Sequence, residues 1–425
     1  MTGVKSGQRD EALPRGIQGA ADPSFACTLR AFSRLFPGRR YGGGALAVYL
    51  HGEPVLDVWT GYADRRGTEF WTADTGAMVF SVTKGLASTV VHRLADRGLI
   101  DYDTPVAEYW PDFGANGKDR ITVRQVMQHR AGLSHLNGCT KDELLDHQVM
   151  EARVAASPVN KLLYGHQAYH ALTYGWLLSG LVRAITGKGM RTLIREELAE
   201  PLNTDGLHLG RPPAGAPTRA AQILAPQNPS NNPVFNFVAP RVAALGVSGI
   251  FGSIYFPGVR SVMQGDTPFL DAEIPAANGV ATARALARMY GAIANGGRID
   301  GVQFLSEERV AALTGRPSLW PDRNVLMPLS FHLGYHSVPV PPGLLPGFGH
   351  AGLAGSVGWA DPSSGLAFGF VHNRLLTPMV FDQAVFAGLG VLIRRDADRA
   401  RRRGYQAVPE LGAAYTQAAR SSAAV

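Results

Sequence analysis

Strand-forming text stands at the two ends of this 425-residue chain, and helix- and loop-forming text fills the middle. Near the start, Ala45 to Leu50 and Pro54 to Thr60 flank a His51-Gly52 turn and read as a β-hairpin. Near the end, Phe331 to Val338, Ser356 to Ala360 and Leu366 to His372 are strand-like again, with Pro362-Ser363-Ser364-Gly365 as a turn. A closing helix is expected from about Phe381 to Arg395. Between the ends, Thr122 caps a short helix over Val123 to His129, and a second helix covers about Tyr169 to Ile185 before Thr186-Gly187. This order predicts one α/β lobe built from both ends of the chain, with a mostly helical lobe inserted between them. The expected bounds are a flexible N-terminus over 1–20, the α/β lobe over 21–103 and 277–425, and the helical lobe over 104–276. A chain of this length exceeds what a single hydrophobic core serves, which agrees with two lobes.

Composition narrows the function classes. The net charge of +7 suggests an anionic partner, but much of the excess sits between Arg394 and Arg403, interrupted by Asp396 and Asp398, as in a solvated helix end. Basic and aromatic residues do not interleave as a nucleic-acid surface requires, so no nucleic acid is expected. Met1 to Gly19 is polar and lacks the apolar core of a signal peptide, and no run approaches the ~18 apolar residues of a membrane span. Cys27 and Cys139 are expected as free thiols of a cytoplasmic protein. The 12 His show no ligand spacing, so neither a metal nor another cofactor is implied.

One tetrad carries chemistry. Ser81-Val82-Thr83-Lys84 is an S-x-x-K sequence in apolar surroundings, Val79-Phe80 before it and Gly85-Leu86 after it. Lys is scarce in a chain that uses Arg for most of its positive charge, and chance would supply such a tetrad about 0.3 times. Residues three apart share a helix face, so Ser81 Oγ and Lys84 Nζ can meet. A desolvated Lys can act as a neutral base, which Arg cannot. Near a helix start, free N–H groups would surround an oxyanion formed at Ser81. The tetrad alone also reads as a Ser cap followed by a surface Lys.

Three further stretches accompany it: Ile121 to Leu133, Tyr169-His170-Ala171, and Gly347-Phe348-Gly349-His350-Ala351-Gly352-Leu353, with Ala277-Asn278-Gly279 between the last two. The glycines of the third fit G-x-G-x-x-G literally, but they lead into a strand, so a dinucleotide site is not expected. In this order the set resembles the serine β-lactamase and penicillin-binding-protein superfamily, most closely the class C-related serine hydrolases and family VIII carboxylesterases, over about Gly43 to Asn373. The resemblance implies an α+β fold, an antiparallel sheet flanked by helices plus a mostly helical lobe. It implies Ser81 as acylated nucleophile, Lys84 and Tyr169 in proton transfer, and an oxyanion hole from the backbone N–H groups of Ser81 and Leu353. His350, Ala351 and Gly352 would match the family's Lys-Thr-Gly and contact substrate. Tyr174 is a rival for Tyr169, on what reads as the same helix; His129 and His170 read as structural.

Two departures bear on substrate. Ala171 stands where the β-lactamases carry Asn, and His350 stands where they carry Lys. An alkyl group offers no hydrogen bond and a neutral imidazole holds a carboxylate poorly. The expected function is therefore hydrolysis of a small-molecule carboxylic ester, including lactones, without metal or cofactor. The alternatives are a β-lactam or D-amino-acid peptide hydrolase, an acyltransferase, and an inactive binding homologue.

Overall fold

The computed structural model describes residues 13–416 except 137, 226–240, 243–244, 246–248, 257–258, 260–266, 316–318, 341 and 376–379. The apolar stretch Phe235 to Val238 lies outside the described residues.

Eight strands form one antiparallel sheet. They are β1 (Gln18–Ala21), β2 (Gly43–Leu50), β3 (Glu53–Gly61), β4 (Phe331–His332), β5 (Tyr335–His336), β6 (Phe348–Ala351), β7 (Val357–Asp361) and β8 (Leu366–His372). Their spatial order is β1-β3-β2-β8-β7-β6-β5-β4, so the strands from the two ends of the chain meet where β2 pairs with β8, from Leu50 opposite Leu366 to Gly44 opposite His372. Residues 18–20, assigned to a flexible leader from sequence, instead form an edge strand on β3, from Gln18 opposite Trp59 to Ala21 opposite Leu56. The leader's polarity hid this, because an edge strand needs no continuous apolar run.

Period-two alternation sorts β2 between two cores. Leu46, Val48 and Leu50 pack with Phe368, Phe370 and the outer helices α1 (Ala26–Ser33) and α5 (Val380–Arg403). Ala45, Ala47 and Tyr49 face the other way, toward α2 (Val82–Asp96) and α4 (Ala283–Ala294). The inner face is built of small residues because α4 lies almost on the sheet. A Cβ on Gly369 would sit 2.3 Å from Ala283 O, and one on Gly358 would sit 2.2 Å from the Tyr290 ring.

The described residues from Val82 to Thr186 are mostly helices and connecting loops. Thr122 and Gln125 form a reciprocal capping box at the start of Val123–Met127. Helix α3 spans Thr173–Thr186 and ends at Gly187, which is left-handed with φ +72°. It starts four residues later than the sequence suggests: Tyr169 lies in an irregular connector, and Tyr174 alone is on the helix. A second sheet was not foreseen. It orders Leu207–Leu209, Gly279–Ala281, Thr75–Met78 and Arg219–Ala220, pieces too short to show alternation. Among the described residues no helix is long and apolar enough to cross a membrane.

Candidate active site

Strand Thr75–Met78 delivers the chain to Ser81. Met78 pairs with Val280, and Val79 N–H donates to Gly279 O at 2.9 Å. Phe80 then takes φ +48°, a left-handed conformation uncommon for a bulky side chain. Thr83 Oγ1 secures this bend, donating to Phe80 O at 2.5 Å and accepting from Gly279 N–H at 2.8 Å. Ser81 follows as the residue capping α2, and its side chain makes no capping bond. The hydroxyl is thereby left for other partners.

Those partners are Lys84 and Tyr169. Lys84 Nζ lies 3.1 Å from Ser81 Oγ, and Tyr169 OH lies 2.9 Å from the same oxygen. Lys84 also donates to Ala276 O at 2.8 Å and stands 5.0 Å from the centre of the Tyr169 ring. It is fully buried, and desolvation with no compensating carboxylate holds its amine well below the ordinary lysine range. Burial pushes the Tyr169 phenol the other way, above its ordinary value; Ser81's hydrogen bond opposes this and Asp322's charge adds to it. The site thus holds a lysine disposed to be neutral and a tyrosine disposed to keep its proton.

Tyr169 is fixed from outside its own segment. Asp322 Oδ1 accepts from the N–H groups of Tyr169, Asn324 and Val325 at 3.1, 2.8 and 3.0 Å. Asn324 Nδ2 donates to Tyr169 O at 3.0 Å, closing a clamp on both sides of the residue. The Tyr169 ring stacks on Phe331, 5.2 Å apart at 13°, with Ala171 in the same small cluster. Asp322, Asn324, Phe331 and the Ala276 carbonyl were missed from sequence. No motif or spacing marks them; only the fold brings them near.

Tyr174 does not reach Ser81. It is fully buried and pairs with Ser88 Oγ at 2.7 Å. His129 and His170 are tied to the backbone around them. His129 Nδ1 accepts the His170 N–H at 3.1 Å, and His170 Nε2 accepts the Leu133 N–H at 3.1 Å. Asn278 likewise holds its loop, bonding to Ile274, Phe269 and Ala272.

The His350-Ala351-Gly352 segment ends β6 and runs beside the start of α2. A Cβ on Gly352 would lie 2.3 Å from Val79 O and 3.5 Å from Phe80 Cβ, and one on Gly85 would lie 3.5 Å from His350 Cβ. Only glycine permits this approach. Leu353 follows in the turn before β7, half-buried against the larger core. His336 braces the strand end: its Nδ1 donates to Ser337 O at 2.9 Å and its Nε2 accepts the Ala351 N–H at 3.1 Å. His350 Nδ1 donates to Ala351 O at 3.0 Å, which leaves Nε2 as an acceptor, buried and without a partner among the described residues. Burial first, then the nearby His336 and Lys84, hold His350 well below the usual imidazole range. Position 350 therefore presents a neutral acceptor. Among the described residues no group of His, Cys, Asp and Glu is arranged to hold a metal ion.

The beta-lactamase family model matches residues 28–390. A curated relative, the Esterase/beta-lactamase LipL of Mycobacterium tuberculosis, is 63% identical over 405 residues, covering 95% of this chain and 94% of its own length. A solved family VIII carboxylesterase superposes with a TM-score of 0.76 at 29% identity, covering 89% of this chain and 99% of that one. A penicillin-binding-protein homologue from Caulobacter crescentus gives 0.73 at 29% identity, with the same coverage. The chain belongs to the beta-lactamase family and is a serine hydrolase of that fold.

Proposed function

We propose that this protein hydrolyses carboxylic esters, lactones included, through an acyl-enzyme on Ser81. The observation that carries the reading is the convergence of Lys84 Nζ and Tyr169 OH on Ser81 Oγ. The neutral Lys84 amine takes the Ser81 proton as Oγ bonds to the ester carbonyl carbon. The carbonyl oxygen becomes an oxyanion, received by the backbone N–H groups of Ser81 and Leu353, and removing such a donor typically costs about 3 kcal/mol. The ester C–O bond then breaks, and the alcohol leaves with the proton Lys84 had taken, relayed through the Tyr169 hydroxyl. Water attacks the acyl-enzyme by the reverse proton path and releases the acid. The directions of the two pKa shifts favour Lys84 over a Tyr169 phenolate as the base.

The neutral His350 and the alkyl Ala171 support an uncharged ester over a substrate that bears a carboxylate. A second reading, β-lactam hydrolysis, is favoured by the double name of the 63% identical relative. The test is turnover of a nitrophenyl butyrate beside nitrocefin, with Ser81→Ala as control. Full ester turnover by Ser81→Ala would refute the acyl-enzyme, and nitrocefin turnover equal to ester turnover would favour the second reading.

A further inference from the structure

We propose that the face formed by residues 158–167 and 319–329 docks this protein onto an anionic lipid surface. Leu162, Leu319, Trp320 and Leu326 are 62%, 68%, 83% and 76% exposed, and Tyr164 and Met327 are exposed beside them in sequence. Large apolar side chains held this far into water on adjoining loops mark an interaction surface. The two segments are one unit. Arg323 N–H donates to Gln167 O at 3.0 Å, and Arg323 Nη1 donates to Leu162 O at 2.6 Å. Gly165, His166 and Gln167 share with Trp320, Pro321 and Arg323 the wall of a cavity of about 420 Å³.

Charge selects the occupant. Arg130, Lys161 and Arg323 are exposed on or next to this unit. The one acid within the two segments, Asp322, is buried, with Oδ1 taken by three backbone N–H groups. Within the two segments, the described surface therefore offers Trp, Leu and Met tips beside cations and carries no exposed carboxylate of its own. Trp settles at the headgroup level of a bilayer, aliphatic tips enter the acyl boundary, and Lys and Arg meet lipid phosphates. The loop that carries these tips also carries Asp322 and Asn324, so the docking face lies on the side of the molecule that holds Tyr169. Docking needs no reaction at Ser81, and the two readings therefore fail independently.

The test uses the full chain as Ser81→Ala, sedimented with vesicles of phosphatidylcholine alone or with roughly a third phosphatidylglycerol. Binding on the order of tenfold stronger to the anionic vesicles is expected, weakening as salt is raised. A Trp320→Ser, Leu326→Ser double variant, with melting temperature unchanged, should lose about tenfold or more of that binding. Equal binding to both vesicle types, no binding to either, or full binding by the double variant would overturn the proposal. So would a dimer in solution that the double variant disperses, which would give this face to a second copy of the chain.

Discussion

The two side chains that meet Ser81 reach it in opposite ways. Lys84 arrives by local geometry, one turn along the same helix, on a segment buried along nearly its whole length. Tyr169 arrives on a connector outside any helix, and its main chain is held by Asp322 and Asn324, 153 and 155 residues further along. The Lys84 arm depends on its own side chain and its desolvation. The Tyr169 arm depends on a remote clamp, so changes far from Ser81 can misplace it. One site thus combines a part written in a tetrad with a part written only in the tertiary fold.

The largest effect tests the shared centre. On the proposed mechanism, Ser81→Ala should lower kcat for a nitrophenyl ester by about 10⁴-fold or more. Lys84→Arg, always charged and unable to act as base, should come close to it, by about 10³-fold or more. Similar losses for the two are the signature of groups that act as a unit.

Next is the remote arm. Tyr169→Phe should reduce kcat by about 10²-fold, the scale of one positioned proton-transfer group. Asp322→Ala removes three hydrogen bonds worth about 1 kcal/mol each and should reduce kcat by about tenfold or more, with KM little changed. Asp322→Asn keeps the Oδ1 acceptor and should restore most of the rate. Equal losses for Asn and Ala would show that the clamp does not work through Tyr169's main chain.

The pH dependence separates the arms. Lys84 must be neutral, so kcat/KM should fall as pH drops through its depressed pKa and the amine takes a proton. The Tyr169 pKa is raised, so loss of its proton should leave the neutral range untouched. The same shift affects stability. Below its unfolded pKa of ~10.4 the unfolded Lys84 binds a proton that the folded one resists, so burying this group costs stability, and the cost grows as pH falls toward its depressed folded value. Lys84→Met should therefore abolish turnover while raising the melting temperature at neutral pH by about 2 °C or more.

The smallest effect concerns substrate charge. His350→Lys would place a cation where a neutral acceptor now stands. It should raise the ratio of nitrocefin to ester turnover by about tenfold, the worth of one charge-assisted hydrogen bond. An unchanged ratio would remove His350 from the explanation of the proposed ester preference.

What could be read in the sequence divides along the same line as the two arms. The hairpin, the paired late strands, the Thr122 cap and the Ser81–Lys84 contact all rest on spacings of two, three or four residues. Tyr169 was chosen by resemblance; its connector was misread as the first turn of α3 because apolar text from Tyr169 onward continues the helical pattern. The clamp at Asp322 and Asn324, the Phe331 stack and the Ala276 carbonyl left no trace, since tertiary contacts over such separations have no period. The edge strand Gln18–Ala21 was hidden by the polarity of the text around it, and the second sheet by strands too short to alternate.

The uneven faces of the main sheet bear on how this protein can change over time. The outer face, with its Leu, Val and Phe side chains under α1 and α5, can exchange one large residue for another at modest cost. The inner face has no such slack, because Gly358 and Gly369 stand against α4 with no room for a single added carbon. Tyr290 of α4 is wedged between Gly358 and Gly85, two residues that also flank His350. Bulk gained at Gly358 would press on the Tyr290 ring, whose hydroxyl stands against Gly85 in the first turn after Ser81. The scaffold can therefore drift freely on its outer side, while its inner side sets the gauge of the reacting centre.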